Sequence, residues 1–447
     1  MSFDTVLIAN RGEIALRVIE ACRELRLRSV CLYSEADAGM PYLRLADESV
    51  CIGPPEPARS YLNIAAIVSA AELTGSGAIH PGYGFLAENP HFVEVCEEHG
   101  MTFVGPPKSV MELVGNKLSA RAAVAEAGVP VLPGEPAPTD PDGLLDAGER
   151  IGYPLLIKAV FGGGGRGMRR VSVPEELVDK ASAASEEAKA ACGDGSLYLE
   201  KALADPRHIE VQIVGDADGN LVHLGERECS IQRRHQKLIE ESPAPTLSED
   251  VRERLRMAGL WAAGAVGYRN AGTVEFLLSP DGTFHFIEMN ARIQVEHPVS
   301  EVVCGVNLIK EQILLAAGEP LSFTQQEVEP RGHAIECRLN AEDPRRDFLP
   351  SCGTVGIVQL PGGHGIRLDT AIYHGMDVLP YYDSLVAKLV AWGRDREDAR
   401  LRMITALQRF ELSGIETTCG LVAEILARTE FKTGEYTTTF LERLLAG

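Results

Sequence analysis

The sequence has 447 residues, of which 45% are hydrophobic and 24% charged, and 43 Lys plus Arg stand against 64 Asp plus Glu for a formal net charge of −21. That length suits about three domains, and the composition excludes a wholly disordered, collagenous or coiled-coil chain. Such acidity argues against a surface that grips nucleic acid or anionic lipid as a whole, while leaving room for a local basic pocket.

Along the chain, residues 5–9 are expected as a strand, 13–26 as a helix with Ile14, Val18, Ile19, Cys22 and Leu25 on one face, and 29–33 as the next strand. Residues 61–73 (helix), 78–80 (strand), 90–99 (helix) and 102–104 (strand) continue the alternation, so residues 1 to about 110 are expected as a βα domain with a mostly parallel sheet. Its first turn, Asn10-Arg11-Gly12-Glu13, carries one glycine and no GxGxxG, which makes dinucleotide binding a weak reading; a carboxylate or phosphate at this helix start stays open. The five prolines between 130 and 141 are expected to mark a connecting segment. A small module is then expected over about 151–203, with strands at 155–160 and 197–200, a glycine loop at 162–167 and a helix near 175–191. From about 205 onward, longer strands with clean alternation predict antiparallel sheet, with helices near 249–265, 305–317, 395–412 and 418–427.

The ten cysteines include no CxxC pair, which fits a reduced, cytoplasmic chain and gives little support to a zinc site. Asp4, Arg11 and Glu13 leave no room for a signal peptide's apolar core, and no apolar run approaches 18 residues, so no membrane span is expected.

Three stretches carry chemistry. Gly162 to Gly165, with Arg166, Gly167 and Met168, follow a strand containing Lys158; such a run is either a surface loop or a cradle of backbone N–H groups for phosphate, and no Gly-Lys-Ser/Thr makes it a Walker loop. Pro280-Asp281-Gly282 predicts a hairpin, and a two-residue Asp281-Gly282 turn would make partner numbers sum to 563, setting Glu275 opposite Glu288. Facing carboxylates repel unless cations lie between them, so the pair points to Mg²⁺ or Mn²⁺, with a solvated face as the plainer reading. Beyond it, period-two alternation puts Glu288, Asn290, Arg292, Gln294 and Glu296 on one face, as a site floor, and Met289, Ala291, Ile293 and Val295 on the core side. Arg227, Arg233, Arg234, His235 and Lys237 form the densest basic patch, close to Gln232, and suggest an anion pocket; no aromatics interleave to suggest nucleic acid.

In its order of motifs the chain resembles biotin carboxylase, the ATP-grasp subunit of acetyl-CoA carboxylase and related biotin-dependent carboxylases. The landmarks are IANRGEIALR (8–17), HPGYGFLAENP (80–90), GGGGRGM (162–168), EKALADPRHIEVQ (200–212), RECSIQRRHQK (227–237), FIEMNARIQVEHPV (286–299), GHAIECRLNAEDP (332–344) and PYYDSLVAKL (380–389). The resemblance implies an α/β and α+β multidomain chain with the ATP-grasp fold. It would have a Rossmann-like N-terminal domain (1–113), a linking helical segment (114–129), a lid (130–204) and a C-terminal domain with antiparallel sheet (205–447). It further implies ATP ligands at Lys117, Lys158, Gly163, Gly164, Gly165, Arg166, Gly167, Met168, His208, Gln232, His235 and Leu277, with Glu200, Lys201, Ala202 and Leu203 toward the adenine. Two Mg²⁺ or Mn²⁺ sites would use Glu275, Glu288 and Asn290. Bicarbonate and biotin would meet Lys237, Arg292, Gln294, Val295, Glu296 and Arg338, with Glu296 as base and Arg338 beside the biotin ureido oxygen.

A biotin-bearing Ala-Met-Lys-Met-type hairpin is absent from the sequence. The resemblance therefore implies a homodimer that works on biotin held by a carboxyl carrier protein, alongside carboxyltransferase subunits, with acetyl-CoA as the default final acceptor and propionyl-CoA or pyruvate as others. Another ATP-grasp ligase and a catalytically silent scaffold are the rival readings. Two positions depart from the family pattern. Phe161 stands where a fifth glycine is usual, which puts the lid hinge in doubt, and Thr418 stands where asparagine is usual.

Overall fold

The computed structural model describes residues 1–162 and 168–446. Its first sheet is parallel, in the order β3-β2-β1-β4-β5, from β1 (Thr5–Ile8), β2 (Arg28–Tyr33), β3 (Glu48–Cys51), β4 (Ala78–His80) and β5 (Thr102–Phe103). β1 is buried at every residue, as a strand covered on both faces must be. The helices Ile64–Thr74 and Pro90–Glu98 start where the side chains of Asn63 and Asn89 accept from Ala66 N and Phe92 N. β3 has no apolar run because it is a half-exposed edge strand, which is why periodicity passes over it. At the first turn, Gly12 N donates to the Tyr42 hydroxyl and Arg11 is clamped on Asp37, so protein groups take up that helix start.

The small module is a four-stranded antiparallel sheet, β6-β9-β7-β8, of β6 (Gly134–Pro136), β7 (Leu155–Ala159), β8 (Arg169–Val171) and β9 (Leu197–Lys201). The helices Pro141–Ile151 and Leu177–Cys192 pack on it. The proline-rich stretch is thus part of this module rather than a connector. Pro136 ends the edge strand β6, and Pro141 opens a helix capped by Asp140, both places where a missing N–H costs nothing.

Most of the remainder is built on one eight-stranded antiparallel sheet. Its order is β14-β13-β10-β11-β12-β15, then the strands Leu385–Gly393 and Ile366–Thr370. The labelled members are β10 (Arg207–Gly215), β11 (Leu221–Arg233), β12 (Gln236–Ser242), β13 (Asn270–Leu278), β14 (Phe284–Asn290) and β15 (His333–Asn340). Strand direction agrees with the alternation, but exposure does not: β10 is buried at every residue after Arg207, including His208, Glu210 and Gln212. The polar face of this sheet is covered rather than solvated. Helices Glu249–Ala265, Leu308–Ala316, Arg396–Arg409 and Cys419–Ala427 lie where expected. Among the described residues no helix is long and apolar enough to cross a membrane.

Phe161 does not occupy a backbone reserved for glycine. It bridges to Asn116 and is absent from the residues with positive φ, whereas Gly162 has φ +90°. The requirement falls one residue later than the family pattern suggests. Gly163 to Gly167 lie outside the described residues.

Candidate active site

Glu275 on β13 and Glu288 on β14 are direct cross-strand partners, as expected, but the turn is not the expected one. Ser279 pairs with Thr283 around a three-residue loop, with Gly282 left-handed at φ +83°. Partners next to the turn sum to 562 (Leu278 with Phe284), and a bulge at Ile287 restores 563 from Glu275 onward. A one-residue slip would otherwise have sent one carboxylate to the other face.

Glu275 accepts from Asn290 Nδ2 at 2.9 Å, Lys237 Nζ at 3.1 Å and Gln294 Nε2 at 3.2 Å, and its other oxygen lies 2.9 Å from His208 Nε2. Burial alone would raise its pKa; Lys237 and His208 hold it well below the usual carboxylate range. Glu288 is shifted the opposite way, because burial outweighs Lys117, 3.9 Å off. Two opposed carboxylates with an amide oxygen nearby form a hard, all-oxygen donor set of the kind Mg²⁺ and Mn²⁺ take. His208, Glu210 and Glu275 also converge closely enough to hold an ion, and of these Glu210 carries no signal in the sequence.

The strand ends at Asn290, so residues 291–296 are not the extended row that alternation predicts. They turn sharply into the helix His297–Cys304, yet the polar side chains still converge. Arg292 donates to Asn290 Oδ1 at 3.1 Å, Gln294 Oε1 at 2.9 Å and Glu88 Oε2 at 3.0 Å. Met289, Ala291 and Ile293 are buried as expected, while Val295 is half-buried and its carbonyl accepts from Lys388.

Glu296 is the hub of the other end. Fully buried, it accepts from Lys237 Nζ at 2.6 Å and from Arg338 Nη2 at 2.8 Å. Burial would raise it, but Lys237 and then Arg338 push it well below the usual range. In this state it is a poor base, and only the loss of one of these cations would raise its basicity. Lys237 also donates to Glu210 Oε2 at 2.6 Å, and Arg338 Nε to Glu240 Oε1 at 2.6 Å.

The basic patch divides. Arg227 is fully buried behind the site, donating to Glu210 at 2.5 Å and Gln212 at 2.7 Å. Arg233 and Arg234 pair with Asp347 instead. Arg234 and His235 form the hairpin tip, both left-handed as a type I′ turn requires. His235 is exposed there and Gln232 is buried two strand positions behind, opposite Lys237. In the small module, Lys158 is paired with Glu200, whose other oxygen accepts from Arg121 at 2.5 Å. Lys117 donates to the Gly162 carbonyl. Lys201 turns away to the carbonyls of Gly152 and Tyr153. Ala202 is buried, and Met168, Leu203 and Leu277 are half-buried.

Sequence reasoning missed Glu88, Glu210, Glu240 and Lys388. Glu88, Glu210 and Lys388 lie within the landmark motifs and Glu240 beside Glu241, but only pairing between distant segments shows what each one does.

Residues 2–111 match the family described as biotin carboxylase, N-terminal domain, 116–324 the carbamoyl-phosphate synthase L chain, ATP binding domain, and 336–443 the biotin carboxylase C-terminal domain. The chain is 51% identical to a biotin carboxylase of Pseudomonas aeruginosa over 444 residues, 99% of this chain and 98% of that protein. It is 49% identical to a pyruvate carboxylase subunit of Methanothermobacter thermautotrophicus over 446 residues, covering 100% and 91% respectively. The crystal structure of the biotin carboxylase domain dimer of Hydrogenobacter thermophilus 2-oxoglutarate carboxylase, in complex with MgADP, ADP and bicarbonate, superposes with a TM-score of 0.96 at 47% identity, covering 99% of this chain and 98% of that one.

Proposed function

The chain belongs to the biotin carboxylase family, with its ATP-grasp architecture, and from that premise we propose that it carboxylates N1 of carrier-held biotin at the expense of ATP and bicarbonate. The observation that carries the proposal is Glu296, one buried carboxylate joined to Lys237 on one side and Arg338 on the other. It stands between a place for a small anion and a place for a second polar substrate.

ATP lies between the lid and the central sheet, with Lys117, Lys158, His208, Gln232, His235 and Leu277 on it. Bicarbonate is held by Lys237, Arg292, Gln294 and the Val295 backbone. As it displaces Lys237 from Glu296, that carboxylate takes the bicarbonate proton. An oxygen of the anion then bonds to the γ-phosphorus while the bond to ADP breaks. Carboxyphosphate splits to CO₂ and phosphate, phosphate takes the N1 proton of biotin, and N1 bonds to CO₂. Arg338 releases Glu296 and donates to the charged ureido oxygen. Glu275, Glu288 and Asn290 are the residues that would hold Mg²⁺ or Mn²⁺, which when bound offset the charge of the phosphates.

ATP hydrolysis measured with and without bicarbonate and free biotin tests this. Turnover that needs both supports it, and turnover indifferent to both overturns it. The domain division at 113, 129 and 204, a homodimer and a cytoplasmic setting belong to the same proposal, supported by the resemblance and, for the setting, by free cysteines such as Cys22, Cys31 and Cys337. Acetyl-CoA is the proposed final acceptor, giving malonyl-CoA for fatty acid synthesis. A pull-down identifies the carrier and transferase partners, and transfer assays with acetyl-CoA, propionyl-CoA, pyruvate and 2-oxoglutarate decide between the acceptors.

A further inference from the structure

Behind Arg338 the central sheet buries a group of charges that the proposed reaction does not use. Glu240 on β12 stands directly opposite Glu336 on β15, and neither has any exposed surface. On the same face Arg338 lies opposite Lys388, and Lys388 opposite Asp369. Glu240 Oε1 is committed to Arg338, but Glu240 Oε2 and both oxygens of Glu336 have no hydrogen-bond partner among the described residues.

The neighbouring cations are spent elsewhere. Lys388 Nζ lies 3.0 Å from the Val295 carbonyl, 3.0 Å from Glu13 and 3.8 Å from Asp369. Arg338 divides itself between Glu240 and Glu296. The other charged and titratable groups around this face are Arg367 on the strand Ile366–Thr370, His297 and Glu301 on the helix above, and Lys237 beyond Glu296. None is hydrogen-bonded to Glu336. Two ionised carboxylates facing each other in a dry interior, with three oxygens unmet, are costly; one proton between them removes a charge and supplies the missing donor.

We propose that Glu240 and Glu336 hold one proton between them near neutral pH, and that through it Glu336 is a positioning residue for Arg338. With that proton in place the pair carries one negative charge, enough to steer Arg338 while Lys237 balances Glu296. The guanidinium is then free to exchange Glu296 for an incoming oxygen. Without it a third anion would hold Arg338 in the sheet. Burial, above all, shifts both groups in the sense required: Glu336 is pushed well above the carboxylate range and Glu240 up to about 7. The role given to Arg338 rests on the function proposed above; the shared proton does not.

Infrared difference spectra of wild type against Glu336→Gln test the proton directly. A protonated-carboxyl C=O stretch in wild type near pH 7 that is lost in Glu336→Gln, and lost again in Glu240→Gln, is expected. A wild-type spectrum in which neither substitution removes such a band overturns the shared proton, whatever the enzyme's activity. Kinetics test the positioning. The amide introduced by Glu336→Gln mimics the protonated acid, so kcat at neutral pH is expected to stay within about 3-fold of wild type, with activity extended to higher pH. Glu336→Ala is expected to raise KM for biotin about 10-fold with KM for ATP unmoved. Equal damage by the two substitutions, with an unmoved pH profile, would show instead an ionised counter-ion of Lys388. Wild-type turnover indifferent to biotin would sink the functional reading while leaving the infrared result standing.

Discussion

At the nucleotide end of the site, Lys158 is paired with Glu200 on the neighbouring strand of its own small sheet, and Lys117 with the carbonyl of Gly162. Lys117 reaches across to the carboxylate of Glu288, but at 3.9 Å. At the acceptor end, Lys237, Glu296 and Arg338 are joined by contacts of 2.6 and 2.8 Å on one framework. The first end keeps its cations on lid-side partners, and in the proposed reaction ATP would be what joins them to the sheet. The second is complete in advance, with its positive charges already neutralised by Glu210, Glu240 and Glu296. Preorganisation of that kind costs no rearrangement at the moment of reaction, but substrates must displace internal partners to enter.

The sharpest way to break the comparison is Glu296→Gln. It keeps the shape of the hub and removes the proton acceptor, so biotin-dependent turnover is expected to fall about 10³-fold while ATP affinity is little changed. Steady-state kinetics beside nucleotide titration check both halves. Arg338→Ala follows, with a loss of about 10²-fold in kcat/KM for biotin and a KM for ATP within about 2-fold of wild type. Lys158→Met attacks the other end. It is expected to raise KM for ATP about 10-fold and to leave that for biotin in place, because its present partner, Glu200, lies in the small module.

A smaller effect separates the ends by pH. Glu336 has its pKa raised by burial, so between its unfolded and folded values the native state holds a proton that the unfolded chain has lost. Stability must therefore fall as pH rises through that window, by up to about 1.4 kcal/mol per pH unit for one proton. Glu336→Gln removes that slope. Denaturant midpoints from pH 5 to 8 are expected to separate progressively, with the variant gaining on wild type as pH rises. Parallel curves would contradict the assignment.

How far these features can be read without coordinates depends on whether they are local. The βα alternation of the first domain, the helices from 249 onward and the pairing of Glu275 with Glu288 are written in runs of neighbouring residues. The expected partners Glu275 and Glu288 do meet, although the turn differs, because the bulge at Ile287 compensates for a loop one residue longer. Glu210, Glu240 and Lys388 give no such signal. Their meaning comes from strands far apart in the chain, and a buried charge looks in sequence like an exposed one. The burial of β10 is hidden for the same reason: period two reports which residues share a face, not whether something covers it.

The weakest test concerns what braces Arg338 from behind. Between Leu339 and Asn340 the register of β15 slips, so the Asn340 N–H leaves the ladder. Thr418, at the start of the helix Cys419–Ala427, takes it up: its hydroxyl accepts from Asn340 N at 3.0 Å and donates to the Arg338 carbonyl at 3.1 Å. Its own N–H returns a bond of 3.0 Å to the Asn340 carbonyl. A compact hydroxyl thus ties that helix to the arginine's strand where the family pattern has an amide. Thr418→Val keeps the volume and leaves the half-buried Asn340 N–H without its partner, which costs about 1 kcal/mol. If the brace serves Arg338, KM for biotin also rises about 2- to 5-fold with KM for ATP unchanged, and Thr418→Ser restores both. Lost stability without any change in KM for biotin would make Thr418 a support of the fold alone.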